Sequence, residues 1–299
     1  MSDLKNYMYV FPGQGAQYAG MLTALEAQAS SLSIHGIVSR ADAYLGYSLS
    51  DLCRTGCDDD LRPTQVAQLA IFVMSCAWLE SAAAKTGGMP VCVAGHSLGE
   101  LTAYYAAGVY SFETGLAIIQ ARSQYMAEAY PADDAAMIAV IAKTDAAIQA
   151  CLETEPDVVI ANYNAPTQWV LSGKKAAVAR VHHALAPQVN RVIPLRVSGP
   201  FHSPLMQPAV ARFEAFLRDY DFKPAQLPVI LNRTAAPEQD PERLKANLAL
   251  QLASPVRWVQ SIQAVQARGI QTVYEVGPGR VLTGLIRKIA PEIQVNSCQ

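Results

Sequence analysis

The stretch Val91–Gly108, VCVAGHSLGELTAYYAAG, constrains the fold more than any other part of the chain. Val91–Ala94 is a short, unbroken apolar run of the kind buried on both faces of a parallel sheet. It passes into Gly95-His96-Ser97-Leu98-Gly99 and then at once into a small-residue helical run. Strand, G-x-S-x-G and helix in that order form a nucleophile elbow: the flanking glycines permit a crowded backbone turn, and the serine hydroxyl is lifted above the sheet. The helix that begins there points its first N–H groups at the same place, where they can stabilise an oxyanion. A tight turn with a capping serine is the competing reading. Agreement of all three parts favours the catalytic one.

The remaining chain fits a core of strands alternating with helices. NYMYVFPGQG predicts a strand over Tyr7–Phe11 that ends in a proline and glycine turn. Helical stretches follow through Leu52, and apolar residues at helical spacing predict another helix over Pro63–Ala84. Beyond the middle of the chain, Leu227–Asn232 and Gln271–Gly277 read as strands, with helices over Pro241–Ala267 and Val281–Ile289. This alternation is the mark of an α/β fold. The middle differs. Met137–Ala142 reads as a strand, Thr144–Glu153 as a helix capped by Thr144 or Asp145, and Val158–Asn164 and Gln168–Gly173 as strands. Lys175–Ala186 then reads as a helix and Arg191–Ser198 as a strand. The order β-α-β-β-α-β is ferredoxin-like. A small domain over residues 130–198, inserted into a large domain of residues 1–129 and 199–299, is therefore expected.

Composition narrows the function classes. Half of the 299 residues are hydrophobic (51%), 16% are charged, and the net charge is −2, which argues against disorder and against a surface for nucleic acid. MSDLKNYMYVFPGQG lacks a basic segment followed by a long apolar core, so it does not read as a secretory signal. The longest apolar run, Val66–Leu79, is interrupted by Gln68 and Ser75 and is too short to span a bilayer. A cytoplasmic, monomeric protein without a membrane partner is expected. The six cysteines are scattered without a paired metal-ligand spacing, so they read as reduced thiols, and no metal site is expected.

A serine nucleophile needs a base, and the chain has five histidines. His96 is adjacent to Ser97 and should point away from its side chain. His182 and His183 fall on the small domain's helix, and His35 in an ordinary helical or loop stretch. His202 remains, in VSGPFHSPLM, where glycine and two prolines fix a loop at the expected domain junction. An ordinary α/β-hydrolase runs serine, acid, then a late histidine. Here no histidine follows His202 and no acid stands out as its partner, so a dyad oriented by a backbone group is the better reading. In ETGLAIIQARSQYM, Ile118, Arg122 and Tyr125 share the apolar stripe of a helix. A guanidinium facing a core needs an anion. That anion is either an internal carboxylate or a substrate carboxylate held by two parallel hydrogen bonds.

Taken in order along nearly the whole chain, FPGQGAQ (Phe11–Gln17), GHSLGE (Gly95–Glu100), QAR ending at Arg122, GPFHSPLM (Gly199–Met206), QLASPVRW (Gln251–Trp258) and EVGPGRVLTGL (Glu275–Leu285) resemble the malonyl-CoA:acyl carrier protein transacylases of fatty acid and polyketide synthesis. The resemblance implies an α/β-hydrolase-like core with a parallel sheet and an inserted ferredoxin-like domain. It implies Ser97 as the acylated nucleophile, His202 as its base, and the backbone N–H groups of Gln14 and Leu98 as the oxyanion hole. Arg122 would bind the free malonyl carboxylate, the Gln251 carbonyl would orient His202, and Gln65 would be a pocket glutamine, although Val66 replaces the usual proline after it. Phe201 is the malonyl-type choice before the histidine, its ring leaving little room for an α-branch. Malonyl-CoA is then the substrate, the phosphopantetheine thiol of an acyl carrier protein the acceptor, and no cofactor is permanently bound.

Other features carry less. Gly13-Gln14-Gly15 after a strand fails as a dinucleotide fingerprint because Tyr18 stands at the third glycine position. GPGR (Gly277–Arg280) before a helix reads as a structural turn or a phosphate site. GKKAAVARVHH (Gly173–His183) reads as a solvated helix face and as a candidate patch for an acidic carrier protein. An acyl hydrolase on the same scaffold, an ordinary esterase and a non-catalytic docking module are the rival readings. Fatty acid and polyketide pathways are not separated by these residues.

Overall fold

The computed structural model describes residues 6–28 and 32–299. Met1–Lys5, where the reading against a secretory signal begins, and residues 29–31 of the expected amino-terminal helices lie outside the described residues. The strands in chain order are β1 (Tyr7–Phe11), β2 (Cys92–Gly95), β3 (Ala135–Ile141), β4 (Val158–Ala165), β5 (Gln168–Lys174), β6 (Arg191–Pro194), β7 (Val229–Ile230), β8 (Pro237–Glu238), β9 (Thr272–Glu275) and β10 (Gln294–Ser297). They form two sheets. One runs β10-β9-β1-β2-β7-β8, parallel except for the β7–β8 pair, and the other runs β4-β5-β3-β6 and is antiparallel throughout. The α/β expectation and the separate antiparallel sheet are both present.

Strands β1 and β2 are apolar without alternation because helices cover both of their faces. Tyr9, Phe11 and Val93 belong to a core that also holds Phe72, Leu101 and Leu116. The side chains of the opposite pleat, Met8, Val10 and Ala94, pack instead with Trp258, Ile262 and Leu285. The apolar run Val66–Leu79 is the middle of a 23-residue helix, Thr64–Thr86, longer than the run itself and apolar enough to cross a membrane; 72% of its most apolar window is buried inside the fold. It spans the protein's own core.

The antiparallel sheet has the ferredoxin-like order, with helices Ala146–Thr154 and Lys175–Leu185 on one face sealing a core of Val140, Ile148, Leu171 and Val181. Its other face contributes Met137, Ala139, Ala161 and Val170 to the main core. Strand β4 is tied to the segment before the helix Trp258–Gln266 by backbone bonds from Val256 N to Ala161 O (2.8 Å) and from Tyr163 N to Val256 O (2.9 Å).

Several segments depart from expectation. The stretch expected as helix over Pro241–Ala267 is two helices, Pro241–Leu250 and Trp258–Gln266, separated by a short 3-10 turn, Gln251–Ala253. Pro255 accounts for the break, since it drives the preceding residue out of helical conformation and Ser254 is extended (φ −113°, ψ 150°). Strand β6 ends at Pro194 rather than Ser198, leaving residues 195–198 as a connection. The helix Gln207–Leu217 and the edge strands β8 and β10 were not among the expected elements.

Candidate active site

Strands β1 and β2 run side by side, Phe11 opposite Gly95, so the loops after both emerge at the carboxyl edge of the parallel sheet, where α/β folds bind ligands. Ser97 caps the helix Leu98–Ala106 with φ 51° and ψ −105°, a conformation that residues with a Cβ rarely adopt. The glycines around it are sterically required. A Cβ on Gly95 would lie 1.9 Å from the backbone carbonyl group of Gly99, and one on Gly99 would lie 2.0 Å from Phe11 O. Gly13 is equally confined, since a Cβ there would lie 2.3 Å from His96 O. That approach brings the loop carrying Gln14 onto the elbow, and the Gln14 side chain is tied down by donation to Thr64 Oγ1 (3.3 Å).

The structure brings His202 to Ser97. Ser97 Oγ lies 2.7 Å from His202 Nε2, although 105 positions separate them. On the far side of the ring, Nδ1 lies 3.1 Å from Gln251 O and 3.0 Å from Ser254 O. Two carbonyl acceptors there require Nδ1 to carry the proton, which leaves Nε2 free to accept from the serine hydroxyl. Both carbonyls come from the broken segment between the helices Pro241–Leu250 and Trp258–Gln266; Gln251 O also accepts from Ser254 N (3.2 Å) in the short turn there. The ring is 4% exposed; burial, reinforced by the nearby Arg122 cation, pushes its pKa from 6.5 down to about 3. His202 is therefore neutral at physiological pH. His96 turns away from the serine hydroxyl, its Nε2 2.8 Å from Asn164 Oδ1 and its ring edge-on to Trp258. His35 and His183 are exposed and His182 is half-buried on its helix.

Arg122 reaches the same point from the helix Phe112–Glu128. It is 1% exposed, and its Nη2 donates to Ser97 Oγ (3.2 Å) and to Gln251 Oε1 (2.9 Å), while Nη1 donates to Gln68 Oε1 (2.6 Å). None of these partners is a carboxylate, and Nε is buried without a hydrogen-bond partner. Burial lowers the guanidinium pKa to about 10 against the opposing influence of Glu100, which still leaves it charged at neutral pH. These groups open onto a cavity of about 310 Å³ lined also by Gln14, Leu98, Phe201 and Val281. The antiparallel sheet forms the facing wall through Met137, Asn162 and Val170.

One sequence assignment is corrected. Gln65 is exposed and faces away from the cavity, whereas Gln68, one helical turn on, is 1% exposed and bonded to Arg122. Gln65 lies exposed in the first turn of the helix Thr64–Thr86, and Gln68 lies one turn deeper, where the helix enters the core. The signal for Gln68 was available as the polar residue that interrupts an apolar run. Asn232, just past β7, is a second residue at the site that sequence reasoning did not single out; it accepts from Ser97 N (2.7 Å).

Two further sequence features also resolve. At GPGR the carboxylate of Glu275 accepts from Leu282 N (2.9 Å) and Thr283 N (2.7 Å), so the helix N-terminus there is already capped by an anion. On the basic helix face, Lys174 pairs with Asp157 (3.0 Å) and Arg180 with Glu155 (2.6 Å), which reduces the charge that the residue count suggests.

A strained serine elbow, a neutral histidine oriented by carbonyls and a buried cation with neutral partners make a site built for acyl transfer. The chain belongs to the acyl transferase domain family, which it matches over residues 8–297. It is 36% identical over 298 residues to the malonyl CoA-acyl carrier protein transacylase of Salmonella typhimurium, covering 98% of this chain and 96% of that one. Its fold superposes with a TM-score of 0.92 on an acyl carrier protein S-malonyltransferase from Vibrio cholerae, 36% identical, covering 98% and 96% of the two chains. A TM-score of 0.92 is also reached with a malonyl-transacylase solved in complex with a type II polyketide synthase acyl-carrier protein, 34% identical, covering 98% of this chain and 94% of that one.

Proposed function

We propose that this enzyme transfers a malonyl group from malonyl-CoA to the phosphopantetheine thiol of an acyl carrier protein through an acyl-Ser97 intermediate. The observation that carries the reading is the convergence on Ser97 Oγ of His202 Nε2 at 2.7 Å and Arg122 Nη2 at 3.2 Å. His202 takes the hydroxyl proton as Oγ attacks the thioester carbonyl. The tetrahedral oxyanion is held by the backbone N–H groups of Gln14 and Leu98. As the C–S bond breaks, His202 returns the proton to the departing coenzyme A thiolate. The carrier's thiol then attacks acyl-Ser97 by the same steps, its proton passing to His202 and on to Ser97 Oγ.

Arg122 binds the free carboxylate of the malonyl group as a charged, hydrogen-bonded pair, with Gln68 and Gln251 holding the guanidinium in place. Phe201, 6% exposed against the cavity, limits room beside the α-carbon. The Gln251 and Ser254 carbonyls fix the histidine tautomer in place of an acid. Residues 130–198 serve as an inserted domain whose sheet closes the cavity. The reading carries with it a cytoplasmic location, a monomer, and a reaction that needs no resident cofactor.

The test is mass spectrometry of the intact protein after brief exposure to malonyl-CoA, with Ser97→Ala in parallel. One malonyl adduct should form, map to Ser97, disappear on adding carrier protein with a free pantetheine thiol, and be absent in Ser97→Ala. An adduct on another residue, or loss of the adduct to water at the same rate with and without carrier protein, would overturn the reading.

A further inference from the structure

Behind the elbow lies a buried polar cluster that the proposed mechanism does not use. Asn232 is 1% exposed, and its polar groups are all engaged. Its Oδ1 accepts from Ser97 N (2.7 Å), its Nδ2 donates to Gly95 O (2.6 Å), its backbone N–H donates to Glu100 Oε2 (2.5 Å), and its carbonyl accepts from Arg257 N (2.9 Å). Glu100 lies in the first turn of the elbow helix, is fully buried, and accepts from Asn247 Nδ2 (2.8 Å) through its other oxygen. One carboxamide thus grips both ends of the three-residue turn that carries the nucleophile.

Such a grip has a mechanical purpose. A non-glycine residue held where Ser97 is held costs about 1–3 kcal/mol and persists only when its surroundings over-determine it. The clasp supplies that constraint through the turn's own backbone atoms. It also commits the Ser97 N–H to Asn232, on the side away from the cavity, so that the next amide in the chain, Leu98 N–H at the head of its helix, is the one left to face a developing oxyanion. Relaxation of the turn would move both the hydroxyl and that amide. We propose that Asn232 is a positioning residue that clamps the strained elbow, with Glu100 fixing the Asn232 backbone, so that Ser97 Oγ stays within reach of His202 and Leu98 N–H stays aimed at the oxyanion.

The inference rests on Ser97 being the acylated nucleophile. The experiment compares native enzyme, Asn232→Ala, Asn232→Asp and Ser97→Ala in single-turnover acylation by labelled malonyl-CoA, with melting temperature measured on each. A small displacement of reacting groups or the loss of one oxyanion donor slows a reaction by about 100-fold. Asn232→Ala should therefore acylate about 100-fold more slowly at saturating malonyl-CoA, with KM within threefold of native and the preference for malonyl over acetyl unchanged, because Arg122 makes no contact with Asn232. Asn232→Asp keeps the acceptor for Ser97 N–H and loses the donor to Gly95 O, so it should fall between. It is close in shape to the native residue and decides the question if the alanine variant fails to fold.

Acylation within threefold of native in either folded variant overturns the clamp. So does a fall in rate accompanied by equal losses in KM and in malonyl preference, which would mark general collapse of the pocket. If label is lost in Ser97→Ala while the Asn232 variants react at native rates, the clamp alone fails. Label persisting in Ser97→Ala removes the reading on which it rests.

Discussion

Replacing Arg122 by alanine would separate the proposed carboxylate-binding role from the rest of the proposed machinery. The guanidinium is 1% exposed and its three hydrogen-bond partners are neutral side chains, so a bound malonyl carboxylate would be its first direct ionic partner. Removing one member of a buried, hydrogen-bonded charge pair costs about 2–5 kcal/mol, which at about 1.4 kcal/mol per decade is about 30- to 5,000-fold in kcat/KM for malonyl-CoA. Acetyl-CoA has no carboxylate. It loses only what the 3.2 Å bond from Nη2 to Ser97 Oγ contributes, about 1 kcal/mol or within tenfold. The assay is the ratio of kcat/KM for the two thioesters, read from acyl-serine formation. Alanine also leaves Gln68 Oε1 and Gln251 Oε1 without a buried donor, so a lower melting temperature is expected. The ratio is insensitive to that, because both substrates meet the same folded fraction. Arg122→Lys, which keeps charge but not the planar fork, should retain part of the preference. A malonyl-to-acetyl ratio within threefold of native in Arg122→Ala would refute the reasoning.

The neutral state of His202 carries its own predictions. Burial and then the Arg122 cation hold its pKa at about 3 in the free enzyme, and a malonyl carboxylate on Arg122 would weaken the second cause. The acid limb of kcat, which reports the bound complex, should therefore lie at higher pH than that of kcat/KM; the reverse order would sink the assignment. Between pH 6.5 and about 3 the unfolded chain binds a proton that the folded histidine refuses, so stability contributed above pH 6.5 is lost as pH falls, at up to about 1.4 kcal/mol per pH unit. Denaturant melts should show this slope reduced in His202→Gln. Gly99→Ala drives a Cβ to 2.0 Å from Phe11 O at the end of β1, where neither strand nor elbow can yield, and should destabilise the protein by about 3 kcal/mol by the same melts.

The parts of this molecule that were legible in the sequence are those set by local rules. The elbow could be read because strand, paired glycines and helix each leave a short-range mark, and the Cβ distances at Gly95 and Gly99 show why no other residue fits there. The ferredoxin-like sheet was legible from element order, because each of its strands and helices carries its own short-range pattern and their succession β-α-β-β-α-β is itself distinctive. Arg122 stood out because a cation on an apolar stripe is a local contradiction. Gln65 and Gln68 were confused because both are glutamines near the start of one helix, and only the direction of that helix against the helix Phe112–Glu128 decides which of them meets Arg122. Asn232 was hidden for a similar reason: an asparagine after a strand is an ordinary turn residue until the partner at its side chain is known.

The break at Gln251–Ser254 shows how a local rule and a remote requirement meet. The sequence reading placed helix across Pro241–Ala267, and Pro255 is the residue that interrupts it. Had the helix continued, Gln251 O and Ser254 O would have been spent on N–H groups four residues on, with nothing left to hold the His202 ring. The interruption leaves both carbonyls turned toward Nδ1 at 3.1 and 3.0 Å, which fixes the tautomer that makes Nε2 a base. It also lets the Gln251 side chain accept from Arg122 and donate to Ser97 O (3.1 Å). One proline-enforced turn thus links His202, Arg122 and Ser97, and in the proposed mechanism its carbonyls take the place of the carboxylate that an ordinary triad sets behind its histidine.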